Sequence, residues 1–491
     1  MDSETLRVTT RMTAMATQSH NLQRREILKG IGAVALAAAL PARAAPGKRV
    51  LVAGAGLAGL STAYELAQRG WQVTVIEARN RHGGRVFTMR EPFDDGLRVE
   101  LGGESLGHGY KRFLNYCNKF GIVTEEDSGD AFRPLPLLMK GQFYASGVAP
   151  TVHPYGLSDD EAKFSPPALL SRHFRVWAET LAKNPARAAD FDKLSIADLL
   201  RVEGVSEQAI RLMNISLNYN DIETISVAGA LFDLRRRGNG GTKAVRVRDG
   251  NSSLPDALVR ELAKAGVKIN YNTALLAVGH DANGVRVAVR SASGRRATIA
   301  AGHFVSTLPA PPLRRVKFTP ALPDAQTIAI RLLPYTRITK IYVQAKRANW
   351  DKAGYGNGVW TDSPAERILN VAGKPGQERS LFALWLDGIG TLKADKMPDA
   401  ARVKWGLKTF AETLPLCAAD AEKGATVSWA NDRWAGGAYS HFQKNQYAAF
   451  FPALRLTNGV LHFAGEHTAE QNNGMEGALE SAERVVKEIT N

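Results

Sequence analysis

From Lys48 onward, apolar and polar positions fall into the order strand, turn, helix, strand. Val50-Leu51-Val52-Ala53 is an apolar run of the length of a buried strand, and Gly54-Ala55-Gly56-Leu57-Ala58-Gly59 is a glycine-rich turn. Leu60, Ala63, Tyr64 and Ala67 then recur at helical spacing until Gly70 stops the helix. Gln72-Val73-Thr74-Val75-Ile76 predicts a second strand that ends at Glu77. Further on, a helix over 258–265 leads into a strand at 267–271, and alternation around Asn283-Gly284 predicts a strand pair reaching 285–289. Helical periodicity covers 169–181, 196–202 and 207–218. Near the C-terminus a strand at 461–464 enters a polar turn, and a helix starts at Gly474.

The first of these units carries chemistry. In a strand–turn–helix, the glycines allow a tight turn, let backbone approach a pyrophosphate and let helix pack closely on strand. The phosphates sit at the positive end of the helix. An acid at the end of the second strand, here Glu77, is placed to hydrogen-bond a ribose hydroxyl and disfavours a 2′-phosphate. Gly54, Gly56, Leu57, Ala58, Gly59 and Glu77 are therefore predicted to hold a dinucleotide.

Composition narrows the class. The 491 residues exceed one hydrophobic core, and 44% hydrophobic with 23% charged residues is ordinary for a globular enzyme. The formal charge is +15, but basic residues are scattered among acids apart from Arg235-Arg236-Arg237, and no nucleic-acid motif accompanies them. A basic surface that draws in anionic partners, or simply a soluble protein, fits better than nucleic acid. Cys117 and Cys417 form no CxxC pair, which excludes a cysteine-rich zinc site; they read as two separate buried thiols, with a disulfide between them in an oxidising compartment as the alternative. No HExxH, GxSxG or His/Asp cluster points to metal or serine chemistry. No apolar run is long enough to span a bilayer, so no stable membrane insertion is expected.

The first 45 residues read as a targeting segment: a charged stretch, about ten apolar residues, and a cleavage site at Ala42-Arg43-Ala44. Arg24-Arg25 followed by Ile27-Leu28-Lys29 resembles a bacterial twin-arginine signal. That resemblance implies export of the folded, cofactor-loaded protein to the periplasm by the twin-arginine machinery, with cleavage near Ala44.

Glu77-Ala78-Arg79-Asn80-Arg81-His82-Gly83-Gly84-Arg85 resembles the acid–arginine–GGR signature of the flavin amine oxidases, the family of monoamine, polyamine and L-amino acid oxidases. Glu100-Leu101-Gly102-Gly103-Glu104 adds a second glycine pair, which in such enzymes lies beside the flavin. At the other end, 461–470 and 474–482 resemble the strand and helix that close the FAD site. The segments 333–341 and 429–440 are similar to the strand whose lysine holds a water against flavin N5 and to the segment under the flavin. The resemblance spans most of 48–491 and is weakest over 127–237.

The resemblance implies an α/β fold in which a Rossmann-like FAD-binding domain (48–125, 239–320 and 425–491) is interleaved with a mixed α+β substrate-binding domain (126–238 and 321–424). Besides the residues of the first turn, it implies FAD contacts from Ala78, Arg79, Gly84, Arg85, Gly102, Gly103, Glu104, Leu275, Trp434, Gly465, Glu466, Gly474 and Met475. Arg79 and Arg85 can neutralise the diphosphate. Lys340 and Tyr439 are the candidate catalytic residues; His467 is assigned to support of the cofactor loop. Ala438 stands where some relatives attach FAD through cysteine, so the FAD is expected to be non-covalent. The second tyrosine of the amine cage falls at Gly474, which leaves the cage incomplete.

The implied reaction is hydride transfer from the substrate carbon to the flavin, giving an imine that hydrolyses to a carbonyl, with dioxygen reduced to peroxide. L-Amino acid oxidases clamp the substrate carboxylate with an arginine shortly after the second glycine pair; here Ser105 stands there. An amine without an α-carboxylate is therefore favoured over an L-amino acid, with Arg90, Lys111 or Arg112 as replacement clamps. A flavin desaturase or protoporphyrinogen-oxidase-like enzyme shares the N-terminal motifs, an NAD-dependent dehydrogenase would not need the Glu466 motif, and a non-catalytic FAD module would not need Lys340. Expected partners are the small amine or amino acid, dioxygen and the export machinery, and a homodimer is left open.

Overall fold

A computed structural model of the protein describes residues 47–126, 134–148 and 153–491. The targeting segment, with Arg24-Arg25, lies outside the described residues. The apolar run at the start is the central strand of a five-stranded parallel sheet. Its order is Ile269–Asn270, Gln72–Ile76, Arg49–Ala53, His303–Ser306, Leu461–Phe463. Both faces of a parallel sheet are covered, which is why Val50 to Ala53 are all buried. The helices Leu57–Gln68 and Gly474–Thr490 pack on this sheet and on each other. Strands from three distant stretches of chain thus build one sheet, and the fold is α/β with a Rossmann-like dinucleotide unit interleaved with a mixed α+β part.

A four-stranded sheet follows the order Arg296–Ala301, Gly284–Ser291, Thr273–Asp281, Lys317–Thr319. Its inner face presents Val278, Val285, Val287 and Val289 to the apolar core, as the alternation predicts. A seven-stranded sheet carries the second part of the molecule: Ala421–Ser428, Ile338–Lys346, Arg379–Asp387, Arg367–Ala372, Gly358–Thr361, Leu137–Met139, Gln142–Tyr144. The helices Pro166–Lys183, Ile196–Val202, Glu207–Asn214 and Val227–Gly238 share an apolar cluster of their own.

Two boundaries differ from the periodicity. The helix expected over 207–218 ends at Asn214, whose side chain bonds Asp221 and the Ile222 amide; Ser216 and Asn218 then take positive φ. The strand resembling 333–341 begins only at Ile338, after a segment opened by Pro334. Cys117 and Cys417 are both buried and unpaired, in different clusters.

Candidate functional site

One cavity of about 530 Å³ touches both the parallel sheet and the seven-stranded sheet. The helix Leu57–Gln68 starts at it. Its N-cap is Gly56, which offers no side-chain cap, and a Cβ at Gly56 would meet nothing within 4 Å. The amides of the first turn therefore open onto free space, as an anion site requires. The helix Gly474–Thr490 also starts at the cavity without a side-chain cap, and Gly474 and Met475 line the wall. Two helix N-termini thus converge on one space. A group carrying a diphosphate fits the residues present.

The predicted residues gather here. Gly54, Gly56, Leu57, Ala58, Glu77, Ala78, Arg79, Gly84, Arg85, Gly102, Gly103, Glu104, Leu275, Trp434, Gly465, Glu466, Gly474 and Met475 line the cavity, as do Lys340 and Tyr439. Gly59 does not: a Cβ there would lie 1.9 Å from the Gly54 carbonyl oxygen, so it serves the close packing of helix on turn. At Gly103 a Cβ would press on Met475 at 2.9 Å, which keeps the second glycine pair against the C-terminal helix.

The acids and arginines hold the walls together. Glu77 Oε2 accepts from the Ala55 amide and Oε1 from the Arg79 amide, both at 2.8 Å. Arg79 donates to Asp432 at 2.7 Å. Arg85 donates to the Ala438 carbonyl at 2.7 Å and to Glu466 at 3.1 Å, and Glu466 also accepts from the Ser440 amide and hydroxyl. Arg79 and Arg85 are thus paired with protein carboxylates while their side chains face the cavity. His467 is buried beside Gly465, and burial lowers its pKa to about 4, so the ring is neutral and packs the loop. Glu480, absent from the sequence reading, accepts from the Glu470, Gln471 and Asn472 amides and anchors that loop.

A second group of residues lines the same cavity, joined by contacts. Lys340 Nζ lies 2.7 Å from Glu104 Oε2 and 3.8 Å from the Trp385 ring centre. The Arg367 guanidinium lies 5.0 Å from the same ring. Arg367 also donates to Asn218 Oδ1 and, at 3.0 Å, to Asp387. Tyr439 donates its hydroxyl to the Asn218 carbonyl at 2.7 Å, and burial pushes that phenol up to about 12. The Arg237 guanidinium then lies 5.7 Å from the Tyr439 ring. Lys340, Trp385, Arg367, Asn218, Tyr439 and Arg237 make one continuous wall.

Sequence reasoning missed most of that wall. Arg237, Arg236 and Asp233 come from the helix Val227–Gly238, and Arg367 comes from the strand Arg367–Ala372. The signal that could have found the first was the lone basic run, which divides its work. Arg235 bonds the Glu470 carbonyl, Arg236 bonds the carbonyls of Glu466 and Ala469, and Arg237 turns to Tyr439. Arg236 and Arg237 share a single counter-ion, Asp233, at 2.9 and 2.8 Å. Burial alone would raise that carboxyl, but the two guanidiniums outweigh it and hold it down to about 2. Beside Arg367, burial raises both Asp387 and Glu366, Glu366 the further because it faces the Asp387 charge. Asp387 is the carboxylate that pairs with Arg367, at 3.0 Å. Lys340 is balanced by Glu104. One positive charge is left over, and Arg237, with 39% of its side chain exposed, presents it to the cavity.

The basic residues offered as replacement clamps lie elsewhere. Arg90 bonds the Asp249 carbonyl, Arg112 bonds Glu476 and Glu483, and Lys111 opens the helix Lys111–Phe120; none of the three lines the cavity. Tyr110, however, lies against Gly474: its hydroxyl would be 3.6 Å from a Cβ there, so an aromatic ring does stand near the second cage position.

The sequence profile of the flavin containing amine oxidoreductases matches residues 57–490. The protein YobN of Bacillus subtilis (strain 168) is 26% identical over 467 residues, which cover 90% of this chain and 94% of that one. An L-amino-acid oxidase of Demansia vestigiata is 25% identical over 472 residues, 90% of this chain and 86% of its own. The solved structure of a cyclohexylamine oxidase from Brevibacterium oxydans IH-35A shares the fold with a TM-score of 0.74 at 20% identity, covering 91% of this chain and 99% of that one.

Proposed function

The chain belongs to the flavin containing amine oxidoreductases and is an FAD-dependent oxidoreductase; on that premise we propose that its substrate is an L-α-amino acid, with dioxygen as the electron acceptor. The observation that carries the substrate class is the uncompensated cation of the Arg236–Asp233–Arg237 group, exposed to the cavity beside Tyr439. A guanidinium matches a carboxylate in shape and charge, and a zwitterion brings one carboxylate.

FAD bound in this cavity supplies the acceptor for the hydride that leaves the substrate α-carbon. The two uncapped helix ends, Glu77 and the Arg85–Glu466 pair would hold it. Ala438 offers no thiol for a covalent bond. Arg237 receives the carboxylate, and the Tyr439 ring, fixed by its bond to Asn218, offers an electron-rich face to the amine. Lys340 and Glu104 supply polar atoms beside Trp385.

One observation favours the amine without a carboxylate: Arg367 and Arg237 each already touch an aspartate, and Ser105 stands at the expected clamp. A peroxide assay that pairs each L-amino acid with its decarboxylated amine separates the readings. L-Phenylalanine or L-leucine oxidised faster than phenethylamine or isoamylamine supports the amino acid; the reverse order sinks it. We also propose twin-arginine export, supported by the residue pattern at Arg24-Arg25. Replacing both arginines with lysine is expected to leave uncleaved, active enzyme in the cytoplasm.

A further inference from the structure

We propose that the outer face of the four-stranded sheet docks on an anionic phospholipid surface. The inner face of this sheet is apolar and packed, so the residues that alternate with it point outward. Register across the strands gives three rows. Arg296 stands opposite Arg290; Thr298, Ala288, Ala277 and Lys317 form the next row; Ala300, Arg286, Gly279 and Thr319 form the third. Arg286, Arg290, Arg296 and Lys317 are all exposed, and Arg295 sits exposed in the adjoining turn.

Three features set this face apart from an ordinary solvated sheet. An ordinary surface interleaves both signs of charge. Here Asp281, 3.8 Å from Arg286, is the one carboxylate that reaches these cations; Arg290, Arg295, Arg296 and Lys317 have none within 4.0 Å among the described residues. Next, Arg290 and Arg296 are directly cross-strand, an arrangement of like charges that destabilises a sheet unless an anion sits between or above them. Last, the positions between the cations carry alanine, glycine and threonine, so nothing taller than the guanidiniums holds off a planar surface. The outward positions bear no aromatic ring on which a nucleobase could stack and no large apolar side chain, only alanine, glycine and threonine between the cations, which points to a sheet of phosphates as the matching occupant. The proposed contact is peripheral, through this face alone; no helix among the described residues is long and apolar enough to cross a membrane.

The test uses the purified holoenzyme and sedimentation with vesicles. Phosphatidylcholine vesicles containing phosphatidylglycerol are expected to carry the protein down at low salt and to release it as salt rises. Phosphatidylcholine alone should not bind. Each basic residue near an anionic bilayer strengthens binding about fivefold, so Arg286→Glu, Arg290→Glu and Arg296→Glu together should weaken it by at least about 100-fold. A control with the same charge change on another surface, Lys163→Glu, Arg187→Glu and Lys193→Glu, should stay near wild type. Flavin content and peroxide-forming rate report that both variants are folded. Arg290→Gln alone removes the cross-strand repulsion, so it cannot fail for loss of a stabilising contact; it should bind about fivefold more weakly. Absence of binding to anionic vesicles, equal loss in the two triple variants, or tighter binding to an oligonucleotide than to vesicles would each overturn the proposal.

Discussion

Lys340 and Glu104 form an ion pair inside the cavity wall, with Nζ 2.7 Å from Oε2 and the Trp385 ring stacked on the ammonium. The lysine side chain is 2% exposed and the glutamate 26%, so the pair is screened by water on the glutamate side only. Breaking it strands a partly buried carboxylate. Lys340→Met is expected to lower stability by about 1–3 kcal/mol, below the cost of a fully buried pair because Glu104 reaches the cavity. Glu104→Gln in the same background should recover part of that loss, which a thermal double-mutant cycle measures. The same Lys340→Met substitution should slow reoxidation by dioxygen far more than it slows anaerobic reduction by substrate, because a cation favours charge that develops only on transfer to oxygen. Stopped-flow traces in which both half-reactions fall together would assign Lys340 to positioning instead.

Arg237→Met should raise KM for an L-amino acid about 30-fold or more, the effect of about 2 kcal/mol from a lost charge-assisted hydrogen bond, with a smaller change in kcat. Arg237→Lys keeps the charge without the fork and should fall between. Oxidation of the decarboxylated amine should be unaffected or improved by Arg237→Met. An equal loss on both substrates would mean that Arg237 shapes the pocket through Tyr439 rather than holding a carboxylate.

The contrast between these two sites explains what could be read from the chain alone. Glu77 and the glycine turn lie in one short run whose local pattern is its structure, so residue spacing points to them; Glu466 and the start of the last helix are legible only through the family resemblance. Lys340 is legible through the resemblance of 333–341 to a family strand, although the strand starts at Ile338 and not at 333. Arg237 and Arg367 lie 130 positions apart and reach one wall only because a helix end abuts Tyr439 and the start of the sheet's middle strand abuts Asn218, which Tyr439 bonds. No spacing rule encodes that meeting. The expected clamp was sought next to Gly103, where the chain has Ser105, and the cation came from a different element. The early end of the helix at Asn214 has the same character: side-chain bonds to Asp221 and Ile222 override a periodicity that would have continued.

Glu77→Ala should weaken FAD binding by about 1–3 kcal/mol, measured by flavin titration of apoprotein. The carboxylate already receives the Ala55 and Arg79 amides, so its loss frees two backbone donors of the turn as well as any ribose contact. Glu77→Gln keeps an acceptor and should lose less. Full flavin occupancy of Glu77→Ala in dilute buffer would count against the assignment. In wild type, acid precipitation should release intact FAD, and colour retained in the pellet would contradict a non-covalent link at Ala438.

Glu100 gives a pH-dependent prediction. Its side chain is enclosed between Thr88 and Asn251, and burial raises it from 4.5 to about 7, against the hydrogen bonds from the Asn251 amide and the Thr88 hydroxyl. Between these two values the folded protein keeps a proton that the unfolded chain has released. That proton's stabilisation is complete below pH 4.5 and is lost as pH rises toward 7, by about 1.4 kcal/mol per pH unit. Glu100→Gln resembles the protonated form at every pH. The variant should therefore match wild type near pH 4.5 and be the more stable of the two, by about 3 kcal/mol, at neutral pH and above. His441 and His467, held neutral by burial with values near 3 and 4, act in the opposite direction: the unfolded chain gains their protons below about 6.5. Their contribution is the same in both proteins and cancels in the difference. Thermal unfolding of the pair across this range, followed by flavin release, reads that difference directly. A gap that does not change with pH, or a variant less stable at neutral pH, would mean that Glu100 is ionised in the folded protein throughout.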